Sequence, residues 1–169
     1  MVDKKVAIIT GAGRGLGEAV ARDLLGKGIS VVVADMNKIN IYKYKVNSQF
    51  NDSANIMSYQ VDVSKRMEVK KMFASAYERF KQIDYLINFA GINRDAPFIE
   101  MTDEDWDSVI SVHLKGTFIC CQEFVKLKSH GNGHIINVSA ACGIQGRKNG
   151  VNFCSAKAGV LAFTKCLAL

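Results

Sequence analysis

A single proline, Pro97, occurs in the 169 residues. With no Pro-rich, Gly/Ser-rich or low-complexity stretch, the chain has neither a rigid spacer nor a long flexible linker, and one domain is the expectation. Long hydrophobic runs are also lacking. "VAIIT" and "ISVVVA" fall far short of the ~20 residues a spanning helix requires, so no membrane partner is expected. No charged-then-apolar leader precedes a small-residue cleavage site, and the expected location is the cytoplasm. Cys120, Cys121, Cys142, Cys154 and Cys166 include no C-x-x-C pair. Their spacing fits neither a zinc site nor a small disulfide scaffold, so buried free thiols are expected and no metal. Nor is positive charge concentrated: the net +6 comes from dispersed lysines ("DKK", "KYK", "VKK"), and no helix gathers them with interleaved aromatics. Nucleic acid is not an expected partner.

What is present is an order of elements. Short β-branched runs alternate with longer segments of helical period, the pattern of βαβ units and a parallel sheet. The expected strands are 5–10, 30–35, 56–61, 84–89 and 134–139. Helices are expected over Leu16 to Lys27, less definitely within 38–54, and along the stripe Val69, Met72, Phe73, Ala76 and Phe80. A long helix starts at Asp103, where Thr102 and Asp105 have the spacing of a capping box in a carboxylate variant. His130 and His134, in "SHGNGH", look like turn residues without ligand partners. The last helix begins near Phe153 and meets the chain end at "FTKCLAL" with no stop signal, so the chain is expected to be an N-terminal fragment of a longer protein.

"KVAIITGAGRGLGEAVA" puts four glycines between a strand and a helix. Backbone N–H groups and the positive helix end can hold a pyrophosphate there. Gly11, Gly15 and Gly17 read G-x-x-x-G-x-G; Gly13 and Arg14 lie inside the loop, and Leu16 stands where the common dinucleotide fingerprint has its third glycine. Asp35, closing "ISVVVAD", is the acid whose carboxylate can accept hydrogen bonds from ribose hydroxyls and would repel a 2′-phosphate. That favours NAD(H), with NADP(H) as the alternative. Arg14 pulls the other way, since a guanidinium can pair with that phosphate; a plain helix-surface arginine accounts for it equally well.

Together, "TGAGRGLG" (10–17), "DV" (62–63), "NFAG" (88–91), "NVS" (137–139) and the lysine of "FCSAK" (153–157) resemble the short-chain dehydrogenase/reductases, in order and at the family's intervals. The stretch from Ala90 to Phe118 looks most like the branch that reduces 3-oxoacyl thioesters. The resemblance implies a doubly wound, mostly parallel sheet with helices on both faces and a nicotinamide dinucleotide over the carboxyl ends of the strands. It implies that Asp62 and Val63 lie at the adenine, that Asn88, Ala90 and Gly91 line the cofactor, that Ser139 holds the substrate oxygen and that Lys157 binds the nicotinamide ribose. It also implies a small carbonyl or alcohol substrate and an oligomer formed through the helices near 103–128 and from 153.

Three positions depart from the family's pattern. Phe153 stands where the family has its proton-transferring tyrosine, His113 where it commonly has an asparagine of the proton relay, and Phe89 where it has a second asparagine. A ring without a hydroxyl neither donates nor accepts a proton. Cys154, about 100° around the helix from Phe153, should point elsewhere. Two readings follow from the resemblance: an oxidoreductase with weakened proton transfer, or a catalytically silent subunit paired with an active relative.

Overall fold

A computed structural model describes residues 5–44, 53–127 and 132–169. Five strands, β1 (Val6–Thr10), β2 (Ser30–Asp35), β3 (Ile56–Gln60), β4 (Tyr85–Asn88) and β5 (His134–Asn137), form one sheet in the order β3-β2-β1-β4-β5. Every pairing is parallel, with Ile8 opposite Val32 on one side and Leu86 on the other.

Between the strands lie α1 (Gly15–Gly26), α2 (Arg66–Phe80), α3 (Asp103–Ile110) and α4 (Gly116–Leu127), and after β5 come α5 (Cys142–Gln145) and α6 (Val151–Leu167). Alternation along the strands divides the core in two. Ile8, Val32, Ala34 and Leu86 face Val69, Met72, Phe73 and Ala76 of α2 and Ile119 and Phe124 of α4. Ala7, Ile9, Val31, Val33 and Ile87 face Ala21 and Leu25 of α1. Helices thus cover both faces, which is why the central strands β1 and β2 read as nearly unbroken apolar runs, whereas β3 and β5 at the sheet edges alternate in burial. Each fully buried valine, methionine or phenylalanine contributes roughly 1.5–3 kcal/mol.

The expected strands and the principal helices are present, with ends shifted by one or two residues. Thr102 closes the capping box with Asp105: the Asp105 N–H donates to Thr102 Oγ1 at 3.1 Å, and the Thr102 N–H returns to Asp105 Oδ2 at 3.2 Å. Four readings are corrected. The long helix from Asp103 is interrupted by a π-turn at Ser111–Lys115; the extra residue rotates the helix and turns His113 inward. In the stretch 38–54 only a short 3-10 turn at Ile41–Tyr44 and the start of another at Ser53 occur, and 45–52 lies outside the described residues. His134 opens β5 and stacks on Tyr85 at 5.8 Å; His130 lies outside the described residues. Cys120, Cys121 and Cys154 are buried, but Cys142 is half-buried and Cys166 exposed. Among the described residues no helix is long and apolar enough to cross a membrane.

Strand order places the site. The chain steps outward from β1 through β2 to β3, then crosses back to put β4 on the other side of β1. The connections leaving β1 and β4 diverge and open a crevice at the carboxyl ends of the strands.

Candidate active site

A cleft of ≈ 890 Å³ occupies that crevice, bordered by the glycine loop after β1, Asp35 at the tip of β2, Asp62 and Val63 after β3, "FAG" after β4, Ser139 after β5, and Phe153 and Lys157 of α6. Gly11 has φ +65°, and a Cβ there would stand 2.7 Å from the Ala90 nitrogen. Only glycine lets the loop lie this close to the β4 end. Gly17 touches the Gly11 carbonyl oxygen through the position a Cβ would fill, so α1 starts directly against the loop. Gly11, Gly15, Leu16 and Arg14 face the cleft, whereas Gly13 acts through its backbone: its N–H donates to Asp35 Oδ2 at 2.9 Å. The other Asp35 oxygen accepts from the Asn37 N–H at 3.0 Å.

A brace for this loop carries no sequence signal. The Lys43 ammonium reaches the Gly13 carbonyl and lies 2.8 Å from Glu18 Oε2, while the Tyr44 hydroxyl donates to the Ala12 carbonyl. Burial, helped by the Glu18 and Asp35 charges, pushes the Tyr44 hydroxyl up to about 12, so it stays a donor.

Asp62 is bound into its own turn, accepting from the Ser64 N–H at 2.9 Å and hydroxyl at 2.7 Å. Val63 touches the site where a Cβ on Gly116 would sit, 2.7 Å away, so the start of α4 closes on it. Ala90 and Gly91 line the cleft, but Asn88 does not. It is 6% exposed and turned under the sheet end, donating to Asn137 Oδ1 at 2.8 Å. Asn137 in turn donates to Thr164 Oγ1 at 3.0 Å. Asn88 therefore ties β4 to β5, because its side chain falls on the buried side of the strand. Phe89 lines the cleft and packs on the α1 side of the core.

At the far end Ser139, Lys157, Phe153 and His113 come together. The Ser139 hydroxyl donates to the Lys157 carbonyl at 2.9 Å, and the Lys157 ammonium to the Val138 carbonyl at 2.6 Å. Lys157 is 7% exposed, and burial lowers its affinity for the proton. The ammonium lies 5.6 Å from the centre of the Phe153 ring, the Arg147 guanidinium 5.0 Å, and the His113 ring meets it edge-on at 4.9 Å. Arg147 is itself held by Asp95 at 2.6 and 2.9 Å.

A residue the sequence does not flag positions this end. Asn152, 0% exposed, donates to the Arg94 and Asp105 carbonyls at 2.7 and 3.1 Å and accepts from the Phe153 N–H at 2.8 Å. It pins the start of α6 to the loop after β4 and to α3. Cys154 is buried and does not line the cleft.

His113 is 3% exposed. Its Nε2 lies 2.8 Å from the Ile92 carbonyl and 3.0 Å from the Ile92 N–H, and Nδ1 has no partner among the described residues. Burial first, then the Lys157 charge, pushes the imidazole down to about 4, against a hydrogen bond from Ile92 that acts in the opposite direction. The ring is neutral at pH 7. Between about pH 6.5 and 4 the unfolded chain binds a proton here that the native chain does not, so stability is lost as the pH is lowered through that window. The expected loss is about 3 kcal/mol, beyond that of a His113→Asn variant, in urea unfolding measured at pH 7 and pH 4. Equal losses in the two proteins would reject a neutral buried imidazole.

Comparison with known proteins agrees with this geometry. The family model described as short chain dehydrogenase matches residues 5–169. The 3-oxoacyl-[acyl-carrier-protein] reductase of Thermotoga maritima is 36% identical over 168 residues, 99% of this chain and 68% of that protein. Its counterpart in Synechocystis is 35% identical over 97% of this chain and 67% of its own length. A crystal structure of a short chain dehydrogenase from Bacillus anthracis superposes with a TM-score of 0.91 at 34% identity, covering 99% of this chain and 70% of that one. With the glycine loop, the acid at the β2 tip and the Ser139–Lys157 pair all gathered at one strand-end crevice, the chain belongs to the short-chain dehydrogenase family.

Proposed function

We propose that the described residues form one dinucleotide-binding unit that takes NAD(H) and acts as an oxidoreductase on a small carbonyl or secondary alcohol, within the 3-oxoacyl-thioester branch. The observation that carries the reading is the cradle around Gly11 and Gly91. A Cβ at either would strike Ala90 or His113, so only glycine lets the loop, the end of β4 and His113 close together into the cleft wall on which a phosphate or ribose would lie. Gly11, Gly15 and Gly17 with the start of α1 would hold the pyrophosphate, Asp35 the adenosine ribose, and Lys157 the nicotinamide ribose. The nicotinamide would supply or accept the hydride. This chain's part is to orient a substrate oxygen with the Ser139 hydroxyl, to hold positive charge beside it on Lys157, and to exclude water with the Phe153 and Phe89 rings.

Proton transfer is the weak step. Phe153 carries no proton and His113 is neutral inside a hydrogen bond to Ile92, so hydride transfer would proceed without a matched acid, a deficit of about 10²–10⁴ in rate. The reading is tested by following NADH absorbance with acetoacetyl thioester: slow but enzyme-dependent oxidation is expected. NADH binding with no turnover on any carbonyl or alcohol would favour the second reading, a silent subunit paired with an active relative. That reading draws on the site itself, where the ring of Phe153 is packed between two cations, and on the apolar Phe118, Val125 and Leu127 that α4 leaves partly exposed.

Cofactor preference has its own test. Asp35, at the tip of β2, would set its carboxylate against a 2′-phosphate, and Arg14 in the loop would be the opposing cation. Calorimetric titration is expected to give tighter binding of NADH than of NADPH. The reverse order would reject the role of Asp35.

A further inference from the structure

Buried carboxylates in this chain are answered by opposite charges. Asp84 is paired with Lys5 at 3.3 Å, and Glu123 with Lys126 at 2.7 Å and Arg66 at 3.4 Å. Lys157 is the only buried lysine or arginine among the described residues, and none of their carboxylates stands within ion-pair distance of it. Its ammonium has one hydrogen bond, to the Val138 carbonyl at 2.6 Å. The Phe153 ring offers it a π-face but no formal charge, and the Arg147 guanidinium, 5.0 Å from the same ring centre, is a second cation. A buried ammonium with no counter-charge is costly, and the cost is relieved when the proton leaves. Burial accordingly lowers the affinity of Lys157 for its proton. The bond to Val138 survives that change, because a neutral amine still donates an N–H. It keeps the nitrogen at the wall of the cleft of ≈ 890 Å³ that Lys157 lines, with a lone pair unused. A desolvated lysine beside another cation is the setting in which an amine becomes a nucleophile.

We propose that Lys157 captures small aldehydes as imines, a second activity of the same cleft. The Lys157 nitrogen pair attacks the carbonyl carbon, and the C=O π pair moves to the oxygen, which takes one proton from the nitrogen. The resulting carbinolamine collapses as the nitrogen pair forms C=N and the C–O bond breaks. The departing hydroxide takes the second nitrogen proton and leaves as water. One aldehyde and one amine thus give one imine and one water, with no change of oxidation state. Water reverses the reaction, so the capture is reversible. No step uses a hydride or a nicotinamide, and the inference stands apart from the proposed reaction.

Reductive trapping tests it on the folded chain. The protein is treated at pH 7 with propanal and sodium cyanoborohydride, whose hydride reduces the imine and fixes a propyl group on the nitrogen. Trypsin does not cut at the alkylated lysine, so capture at Lys157 joins two peptides into one spanning residues 149–165. The fraction of free amine sets the rate, and Lys157 is expected to label about tenfold faster than the exposed Lys115 and Lys148. A side chain that burial merely shields gives the opposite order, so labelling of Lys157 no faster than those two overturns the inference. Lys157→Arg keeps a positive charge and removes the amine; the fast phase of propanal uptake should vanish in it, and a fast phase that remained would place the reaction elsewhere. The wild-type map decides the matter even where the variant fails to fold.

Discussion

Phe153→Tyr raises reductase activity by about 10²–10⁴, the usual worth of a positioned acid–base group. The oxygen would be added to a ring that already borders the cleft and is only partly buried, so it gains a wet edge and no sealed apolar wall. The Lys157 ammonium at 5.6 Å and the Arg147 guanidinium at 5.0 Å from the ring centre both favour a phenolate. They lower the phenol's hold on its proton from the ordinary value near 10 toward the working pH. Asn152 keeps the start of α6 in place whichever ring is present. The assay follows NADH with acetoacetyl thioester, alongside NADH affinity and a melting curve. A variant that folds, binds NADH and turns over no faster than the parent would mean that the lost phenol is not what limits this site. His113→Asn in the same background then asks whether the imidazole against the ring is the obstacle.

Gly11→Ala costs roughly 2–4 kcal/mol, from a left-handed backbone that an L side chain resists and a Cβ forced onto main-chain atoms that cannot yield. Two other glycines separate these causes. Gly15 also has positive φ, +62°, but nothing lies within 4 Å of its Cβ position. Alanine there should cost about 1 kcal/mol, from the backbone alone. Gly26 has neither constraint, and alanine there should stay within about 0.5 kcal/mol of the parent. Urea unfolding of the three variants is expected to rank them in that order. Gly11→Ala should also lose most of its NADH affinity, because pushing Ala90 and Phe89 away opens the cradle. A Gly11→Ala protein as stable as Gly26→Ala would show that the loop does not lie against the end of β4.

Much of this was legible because it is local. A strand announces itself by β-branched residues in a run, a helix by the stripe Val69, Met72, Phe73 and Ala76, and a helix start by Thr102 and Asp105, all within a few residues of one another. The alternation of such elements implied the parallel sheet, and a parallel sheet has its crevice at the carboxyl ends, so the glycine loop and Asp35 could be expected at one place; Ser139 and Lys157 joined them only through the resemblance to the short-chain dehydrogenase/reductases. What local pattern does not carry is which side of an element faces what. Asn88 and Gly91 look equally suited to a cofactor in "NFAG", yet burial of one strand face sends Asn88 toward Asn137. The π-turn turns His113 under the loop onto Ile92 and against Phe153, although nothing in "SVHLK" signals an extra residue in the turn. Asn152 and the Lys43–Tyr44 brace read as surface polar residues until the backbone carbonyls they satisfy, far away in the chain, are brought to them. The sequence by itself determined the elements, their order and the chemistry at the strand ends, through forces acting within a turn or two of the chain. Packing alone decided which of those residues touch, because contact between distant segments depends on the faces that the whole core leaves inside.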